Sequence, residues 1–422
     1  ALAAILDLEI EQMDAITAFL HREADKRIYI ELPDGYCSSR DIVGLLLKAL
    51  YGLKQSPRLW QKKLSQELAK LGYRPLDSDS SVYVGKDGIQ GIIIVTYVDD
   101  FLLIGPSREN INSLKKELST IFSMKDLGPC ESFLGVRIIR DRENRRIHLV
   151  QDQYAEKVVK AFGLETAAPI YAPMEVGALV QMVPYDGQAT EAEIKQYQSG
   201  TGSLMYSMTQ TRPDISFTVS TLAQFNSNPS PFHWKACRRA LTYLGTTSKV
   251  GITLGAGVTL GDLEYHGFSD SDYAGDVGSR KSTSGYVFFM GGGPISWKSA
   301  KQHAVTLSST EAEYYALTEA AKEAKWHQSL LTELGYNGTD LRPVTLHGDN
   351  TGALALAENP EHHGRAKHID IRMHYIRQEV ENGSIQLTYV PTSDMVADGL
   401  TKPLGGPKHQ GFVEQLGLET WK

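Results

Sequence analysis

Apolar positions along the chain form short continuous runs in some segments and helical repeats in others. The clearest run covers 92–104, is rich in Ile and Val, and is flanked by glycine on both sides. Asp99 and Asp100 interrupt it near its middle. A short apolar run of this composition predicts a strand, and two runs that meet at acidic residues predict a β-hairpin with two carboxylates at its tip.

Helical repeats of apolar residues predict two amphipathic helices in the first part of the chain. In the first of them, apolar residues recur at positions 59, 60, 64 and 68. Ser56 is a suitable N-cap, Pro57 fits the first helical position, and Gly72 is a suitable terminator. The second helix is predicted over 107–125. Residues 1–21 predict the end of a helix and then a strand that carries Asp14.

The second half of the chain has a different order of elements. Residues 145–260 are predicted to be mostly helical, with a flexible link at 183–193. Residues 263–298 predict two or three antiparallel strands, and a capping-box pattern at 308–311 opens a long helix over 310–334. A strand at 343–348, helices from 350 and near 368–382, a strand at 384–390 and a last helix near 393–400 follow. This order indicates one mixed sheet with helices packed on it.

Composition limits the class of protein without identifying it. The 422 residues are enough for two or three domains, and 41% hydrophobic with 22% charged residues is ordinary for a globular protein. Three widely separated cysteines, including Cys37, predict no disulfide framework and no zinc site, which fits a reducing compartment. No signal peptide and no membrane-spanning run are predicted. The net charge of −7 argues against a basic surface overall, so nucleic-acid binding would need local basic strips.

The adjacent carboxylates of Asp99 and Asp100 admit two interpretations. They are turn residues in the simpler one, because Asp favours turns. However, two like charges among apolar neighbours are costly to desolvate, and a bound cation would remove that cost. Oxygen ligands of this kind suit Mg²⁺. The second interpretation therefore predicts a metal site at the hairpin tip.

The segment Tyr97-Val98-Asp99-Asp100 resembles the YxDD box of reverse transcriptases. The segment 12–21, which carries Asp14, resembles the corresponding upstream motif of the Ty1/copia retrotransposon polymerases. The resemblance implies a right-hand fold of palm, fingers and thumb, with Asp14, Asp99 and Asp100 as the catalytic metal ligands. It also implies that Phe19 is a steric gate against the ribose 2′-hydroxyl, although a strand aromatic in the core would look the same.

Two further segments carry the resemblance. Residues 48–60 resemble the nucleotide-pocket segment of the family, and residues 128–138 resemble its primer-grip region, although an ordinary hairpin has the same pattern. The basic residues of the first segment either contact triphosphate or template, or form a solvated face. The implied nucleotide-binding residues are Phe19, Tyr51, Gly52, Lys54, Ser56 and Pro57, and the implied primer grip is Phe133, Leu134 and Gly135.

Carboxylates also stand at the junctions of the predicted C-terminal elements. Their order resembles the Asp-Glu-Asp-Asp set of ribonuclease H in its Ty1/copia form, and the implied metal ligands are Asp270, Glu313, Asp349 and Asp398. Four carboxylates could hold two Mg²⁺ about 4 Å apart. Asp272 competes with Asp270, since both lie on one strand face, and Glu311 competes with Glu313. A cluster at His362, His363 and His368 admits a metal site, although no Cys is near and zinc fits poorly. The alternatives are a basic hybrid-facing loop and a role of His368 in product release.

The whole chain is therefore interpreted as α+β and α/β, with several domains: partial fingers and palm over 1–145, thumb and connection over 146–260, a ribonuclease H-like domain over 261–404, and a tail over 405–422. The resemblance implies an RNA-directed DNA polymerase with ribonuclease H activity, two Mg²⁺ per site and Mn²⁺ as a substitute. The expected partners are RNA template, DNA primer, RNA–DNA hybrid, dNTPs and the integrase of the same polyprotein, with no membrane. The expected location is a cytoplasmic virus-like particle with nuclear entry.

One alternative function stays open at this point. The family has a fingers segment upstream of residue 1, and its loss would leave a relic or domesticated protein that binds nucleic acid without polymerase activity and retains ribonuclease H. Against this alternative, all seven expected carboxylates are present.

Overall fold

A computed structural model describes residues 1–33, 35–36, 42–255, 264–336, 343–358 and 370–421, except for the side chains of 370–374. The chain divides into two compact units. The smaller unit consists of Leu6–Cys130 and Ser329–Asn337, and the larger unit consists of Ala1–Ile5, Glu131–Gln328 and Gly338–Lys422. Among the described residues, no helix is both long enough and apolar enough to cross a membrane.

The α-helices of the described residues are, in chain order, α1 Leu2–Ile5, α2 Ser56–Lys70, α3 Arg108–Ile121, α4 Asp152–Ala161, α5 Glu191–Gln210, α6 Ser216–Ala223, α7 Pro231–Thr246, α8 Ser309–Glu333, α9 Thr351–Glu358, α10 Asp370–Glu381 and α11 Gly406–Gln415. The strands of the first half are β1 Glu9–Ala15, β2 Tyr29–Glu31, β3 Val43–Leu45, β4 Arg74–Pro75, β5 Val82–Val84, β6 Ile93–Tyr97, β7 Asp100–Gly105, β8 Met124–Pro129, β9 Ser132–Phe133, β10 Val136–Asp141 and β11 Arg146–Val150. Those of the second half are β12 Val250–Leu254, β13 Tyr265–Asp272, β14 Thr283–Met290, β15 Gly293–Lys301, β16 Val344–Gly348, β17 Ile385–Tyr389 and β18 Leu418–Thr420. The fold is thus mixed α/β with several sheets.

The smaller unit is built on a six-stranded sheet with the order β4-β5-β6-β7-β1-β8. Residues of β7 alternate between the core and the half-buried side, so that Phe101 and Leu103 are fully buried and Asp100 is not. The same core contains apolar residues of α2 and α3, including Trp60 and Leu114. This packing confirms the predicted hairpin and both predicted helices, because their apolar faces meet in one cluster.

One detail of the smaller unit differs from the sequence-based expectation. Helix α2 begins at Ser56, with Gln55 at the N-cap position and no side-chain cap. The Ser56 hydroxyl instead donates a 2.6 Å hydrogen bond to the carbonyl oxygen of Leu50. The prediction of Ser56 as the N-cap was therefore wrong by one position, because the hydroxyl fastens the preceding loop. A second, two-stranded sheet is formed by β2 and β3.

The larger unit contains helices α4 to α7 around a separate core with Leu204, Ile215 and Leu241. One ion pair is enclosed in this region: the Arg212 guanidinium binds both carboxylate oxygens of Asp214, at 2.8 and 2.7 Å. The predominantly helical prediction for 145–260 is confirmed for these elements. However, β11 and β12 also lie there, in a five-stranded sheet with the order β18-β12-β11-β10-β9.

A second five-stranded sheet of the larger unit has the order β15-β14-β13-β16-β17. Strands β13 to β15 pair antiparallel, whereas β16 pairs parallel with both β13 and β17. Helix α8 opens as predicted, since the Ser308 hydroxyl accepts a 3.1 Å hydrogen bond from the Glu311 amide. The predicted helix near 393–400 consists of two 3₁₀ helices, Thr392–Asp394 and Val396–Leu400.

The C-terminal segment 405–422 was expected to be a tail. The structure corrects this description of its described part, because the segment contains α11 and β18. Strand β18 pairs antiparallel with β12, and Leu418 lies opposite Ile252. Phe412 of α11 and Leu416, at the C-cap of this helix, are buried in one core with Leu400. The last residues thus belong to the packed body of the larger unit.

Candidate active sites

The first candidate site lies in the smaller unit, at one end of the β1–β7–β6 ladder. Asp14 of β1 is the cross-strand partner of Asp100 in β7. Asp99 precedes Asp100 in the turn after β6, and its carbonyl oxygen accepts a 2.7 Å hydrogen bond from the Ala15 amide. The three predicted aspartates therefore lie at the same end of neighbouring strands, although Asp14 precedes Asp99 by 85 residues in sequence.

The turn that carries Asp99 is held in an unusual backbone conformation. Val98 has a φ of 58°, in the left-handed region that β-branched residues rarely adopt. The indole N–H of Trp60 donates a 2.6 Å hydrogen bond to the Val98 carbonyl oxygen. Trp60 is itself buried, so a rigid helix side chain supports the strained turn. Backbone strain of this kind recurs at functional sites.

The electrostatics of these aspartates favour a bound cation. Burial raises the pKa of Asp100, and the charges of Asp99 and Asp14 raise it further. The Gln12 side-chain amide donates a 3.5 Å hydrogen bond to Asp100 Oδ1, which opposes this rise. The Tyr51 hydroxyl donates a 3.0 Å hydrogen bond to Asp99 Oδ2. Because three like charges disfavour one another, a divalent cation would stabilise them together.

The predicted nucleotide-binding residues fall into two groups. Tyr51, Gly52, Lys54 and Pro57 are exposed, so they are available to a ligand. In contrast, Ser56 is fully buried and its hydroxyl donates a hydrogen bond to the Leu50 carbonyl oxygen. Phe19 is only 5% exposed, and its ring lies 4.3 Å from the ring of Tyr51. Tyr51, which is half exposed, therefore covers the residue that was predicted to be the steric gate.

The predicted primer grip is a tight hairpin between β9 and β10 in the larger unit. Leu134 and Gly135 both have positive φ, at 48° and 76°. The Tyr206 hydroxyl of α5 donates a short hydrogen bond to the Leu134 carbonyl oxygen. The ring of Tyr206 lies 4.7 Å from that of Tyr154. Two aromatic side chains thus fasten the hairpin tip, and Phe133 is only partly buried.

The second candidate site lies in the larger unit, at the carboxyl ends of two parallel strands. Phe268 of β13 is the partner of His347 in β16. Two residues further along each strand, this register brings Asp270 beside Asp349. Glu313 enters from the first turns of α8. Within the described ranges, these three form the group of acidic, His or Cys residues whose ligand atoms all lie within 4.8 Å of one another.

Each carboxylate of the cluster has a neutral hydrogen-bond donor. The Thr401 hydroxyl donates a 2.5 Å hydrogen bond to Asp270 Oδ2. The Ser271 amide donates a 3.3 Å hydrogen bond to Glu313 Oε1, and the Thr392 hydroxyl donates a 2.7 Å hydrogen bond to Asp349 Oδ2. These donors orient the oxygens without neutralising them.

The pKa values of the cluster reflect burial and the repulsion between its carboxylates. Burial raises the pKa of Asp270 to about 7, with Asp398 and Asp349 acting in the same direction and with the Thr401 hydrogen bond and the Lys402 charge opposing it. Burial raises the pKa of Glu313 to about 9, with contributions from Asp270 and Asp349. Asp270 and Glu313 are buried and Asp349 is partly buried, so a cation among them would allow all three to be ionised together. The donor set, all oxygen, fits Mg²⁺ or Mn²⁺.

The remaining acidic residues of the second site occupy different positions. Asp398 lies in the 3₁₀ helix Val396–Leu400, outside the three-residue cluster, and is ion-paired with Lys402. Asp272 and Glu311 also lie outside the cluster. The Glu311 carboxylate accepts a 2.7 Å hydrogen bond from the Leu307 amide, which occupies it in the N-terminal cap of α8. The geometry thus favours Asp270 over Asp272 and Glu313 over Glu311.

Sequence reasoning overlooked three contacts at these sites. These are the contacts of Trp60, Thr401 and Lys402. The sequence marks position 60 only as part of a helical apolar repeat, and it does not mark Thr401 or Lys402 as site residues. The one available signal was the four-residue spacing from Asp398 to Lys402, which allows an ion pair. The cluster at His362, His363 and His368 lies outside the described residues.

Comparisons with known proteins agree with the motifs. Residues 1–176 match the family model described as "Reverse transcriptase (RNA-dependent DNA polymerase)". The retrovirus-related Pol polyprotein from transposon TNT 1-94 of Nicotiana tabacum is 38% identical over 427 residues, which cover 100% of this chain and 32% of that protein. The putative transposon Ty5-1 protein of Saccharomyces cerevisiae is 33% identical over 317 residues, which cover 74% of this chain and 100% of that protein. This chain thus spans about a third of the length of the tobacco polyprotein.

A solved structure matches a shorter part of the chain. The ribonuclease H1 of the halophilic archaeon Halobacterium salinarum NRC-1 covers 33% of this chain and 94% of its own, with 20% identity and a TM-score of 0.23. The second site is defined by the register of β13 with β16, the distances between its carboxylates and their electrostatics.

Proposed function

The chain belongs to the reverse transcriptase family of Ty1/copia-type retrotransposon Pol polyproteins, and we propose that it copies RNA into DNA and cleaves the RNA strand of RNA–DNA hybrids. The observation that carries the first activity is the pairing of Asp14 with Asp100 across β1 and β7. It brings the upstream motif and the YxDD box to one site, as a polymerase of this family requires.

In the proposed polymerase reaction, Asp14, Asp99 and Asp100 hold two Mg²⁺ with their carboxylate oxygens. Bound Mg²⁺ would lower the pKa of the primer 3′-hydroxyl and neutralise charge on the triphosphate. Tyr51 orients Asp99 through its hydroxyl, and Trp60 fixes the turn that presents Asp99. Lys54 and the N-terminus of α2 offer positive charge to the incoming dNTP. Phe19 and Tyr51 form the wall against which the sugar would be selected.

The proposed right-hand arrangement of palm, fingers and thumb assigns the smaller unit to palm and partial fingers. Helices α4 to α7 would contribute thumb and connection, and the hairpin at Phe133, Leu134 and Gly135 would contact the primer. The domain boundaries at 145, 260 and 404 are part of this proposal.

In the proposed nuclease reaction, Asp270, Glu313, Asp349 and Asp398 hold metal ions at the carboxyl ends of β13 and β16. The metal would activate a water and stabilise the leaving 3′-oxygen of the RNA strand. Thr401, Thr392 and the Ser271 amide keep the carboxylate oxygens pointing into the site. The tight grouping of Asp270, Glu313 and Asp349 supports this proposal, because carboxylates held close together in a partly desolvated site are stabilised by a cation.

The natural substrates in this proposal are an RNA template with a DNA primer, dNTPs, and the hybrid that remains after synthesis. Hybrid contacts would run mostly through phosphates and 2′-hydroxyls, since base pairing sets the sequence that is copied. Integrase of the same polyprotein is proposed as a partner, and a virus-like particle in the cytoplasm, with later nuclear entry, as the location.

Two assays on the full chain test the two activities separately. The first is extension of a DNA primer on an RNA template with Mg²⁺ and dNTPs, and the second is cleavage of a labelled RNA–DNA hybrid. D99N should abolish extension and spare cleavage, whereas D349N should do the reverse. We expect each loss to be at least about a thousandfold, or about 4 kcal/mol of barrier. Hybrid cleavage without extension by the wild type would instead identify a polymerase relic that retains its nuclease.

A further inference from the structure

Lys402 is the positively charged side chain of the second site. Its ammonium is ion-paired with the Asp398 carboxylate, four residues earlier and across the end of the 3₁₀ helix Val396–Leu400. The Lys402 side chain is 41% exposed and that of Asp398 is 22% exposed. The pair is thus partly screened from water but open on one side.

The surroundings of Lys402 are strongly acidic. Partial burial would lower the pKa of Lys402, but the hydrogen bond to Asp398 and the charges of Asp398, Asp270 and Asp272 outweigh it and raise this pKa. The carboxylates of Asp270 and Asp272 thus act on the ammonium together with its direct partner. Since lysine is ordinarily charged at neutral pH, Lys402 places a positive charge beside Asp398.

The four proposed catalytic carboxylates are consequently in two different states. Asp270, Glu313 and Asp349 lie within 4.8 Å of one another and have neutral donors as hydrogen-bond partners. Asp398 is already neutralised by an ammonium of the chain itself. A first divalent cation fits the group of three, whereas a second one next to Asp398 would meet the charge of Lys402.

We propose that Lys402 is a built-in cation that occupies the place of the second divalent ion beside Asp398, so that this ion binds only when Lys402 leaves. The inference rests on the proposed nuclease function and adds an order in which the metal ions bind. The first ion binds tightly at Asp270, Glu313 and Asp349, and the second binds beside Asp398 only after Lys402 has moved away. The physical reason is that an ammonium and a divalent cation at one carboxylate repel each other in a partly desolvated site. Lys402 is thus a positioning residue that acts through Asp398.

The test is a titration of the full-length chain with Mn²⁺, followed by electron paramagnetic resonance, which distinguishes a single ion from a coupled pair. The chain carries D99N and D100N, which remove the other proposed metal site. The variants are K402Q, which removes the charge, K402R, which keeps it, and the control K298Q. Lys298 is a comparably exposed lysine of β15 whose ammonium lies 3.8 Å from the Glu319 carboxylate.

We expect the parent chain to bind one Mn²⁺ firmly and a second one weakly. K402Q should bind the second ion at least about tenfold more tightly, with the spectrum of a Mn²⁺ pair at lower concentration, while K402R and K298Q should match the parent. The Mg²⁺ concentration for half-maximal hybrid cleavage should fall in K402Q in parallel. K402M, which keeps the apolar stem, decides the same question if K402Q does not fold.

Three results would overturn the proposal: an unchanged affinity of K402Q for the second Mn²⁺, a lower affinity of K402Q for it, or an equal gain of affinity in K402R. A lower affinity in K402Q would mean that Lys402 only orients Asp398. If the nuclease proposal itself were wrong, the result would be different. The parent chain would then show no Mn²⁺ binding that the D349N substitution removes. The titration therefore separates an error about Lys402 from an error about the site.

Discussion

The indole N–H of Trp60 donates a 2.6 Å hydrogen bond to the carbonyl oxygen of Val98, the residue that precedes the acidic pair at the hairpin tip. Val98 has a φ of 58°, which costs a β-branched residue about 1–3 kcal/mol. A helix residue thus supports the strained turn that carries Asp99 next to Asp100. The strain is tolerated because the donor is buried and fixed by its packing.

We expect W60F to impair polymerase chemistry more than stability. The substitution keeps a ring in contact with Phe122, whose centroid lies 5.1 Å away, but removes the donor. Loss of one buried hydrogen bond should lower the free energy of unfolding by about 1–2 kcal/mol. A displaced turn should lower the rate of single-nucleotide extension by about 10- to 100-fold.

Chemical denaturation and single-turnover primer extension measure the two effects of W60F. W326F is the matched control, because Trp326 is 41% exposed and belongs to the larger unit. If W60F extended primers at the wild-type rate, the hydrogen bond would have no part in positioning Asp99. A rate loss that only follows a large loss of folded protein would point to the same conclusion.

Much of the local structure could be predicted from the sequence, because its causes are local. The run at 92–104 has the length and β-branched content of a hairpin, and the apolar repeat of α2 faces one core. The partial failure at Ser56 has a tertiary cause, since its hydroxyl donates to Leu50 instead of capping the helix. Similarly, the tail prediction failed because β18 pairs with β12, which is remote in sequence, and α11 packs into the core to which β12 also contributes.

The sequence could predict which residues form the candidate sites. It could not predict the strand register, the distances or the hydrogen bonds that bring them together. Order along the chain marked Asp270, Glu313 and Asp349, whereas only the parallel register of β13 with β16 explains why the two aspartates meet. No sequence pattern marks a contact such as Thr401 with Asp270, because one hydroxyl among many has no distinct spacing. Supporting contacts of this kind require the fold.

We expect T401V to weaken metal binding at the second site while leaving the fold intact. Its hydroxyl donates a 2.5 Å hydrogen bond to Asp270 Oδ2 and lowers the pKa of that carboxyl against the effect of burial. Without this donor the pKa of Asp270 should rise, by about one unit if the bond resembles other charge-assisted ones. The acidic limb of the pH profile of hybrid cleavage should move up by the same amount.

The pH profile and the Mg²⁺ concentration for half-maximal cleavage are measured for wild type, T401V and T401S. T401S keeps the hydroxyl and should behave like wild type, which separates the hydrogen bond from the change in shape. An unshifted profile in T401V would show that the hydroxyl does not act on the ionisation of Asp270.

The buried ion pair of Arg212 and Asp214 predicts a large stability effect away from both sites. Arg212 is 2% exposed, and Asp214 also accepts a 2.7 Å hydrogen bond from the Tyr243 hydroxyl. Removing one partner leaves an uncompensated buried charge, so D214N should cost about 3–5 kcal/mol of the free energy of unfolding. Urea denaturation measures the loss.

The control for D214N is E175Q. Glu175 pairs with Arg239 at 2.9 Å, but its side chain is 59% exposed. An exposed pair contributes at most about 1 kcal/mol, so this variant should unfold almost like wild type. Equal losses in the two variants would contradict the assignment of the Arg212 pair as the structural one.

The raised pKa values of the second site predict how stability depends on pH in the absence of metal. Asp270 has a pKa of about 7 and Glu313 one of about 9, whereas carboxyls of unfolded chains titrate near about 4. Between these values the folded chain holds protons that the unfolded chain releases. The free energy of unfolding should therefore fall as pH rises from about 4 through about 7 and about 9.

Thermal unfolding in EDTA at pH 6 and pH 9 measures this dependence, and the midpoint should be lower at pH 9. E313Q removes the group with the larger shift and should reduce the difference, because an amide neither titrates nor repels Asp270. Saturating Mg²⁺ should also reduce it, since a cation at Asp270, Glu313 and Asp349 stabilises the ionised carboxylates of the folded state. A midpoint difference that E313Q and Mg²⁺ both left unchanged would mean that the pH dependence arises elsewhere in the chain.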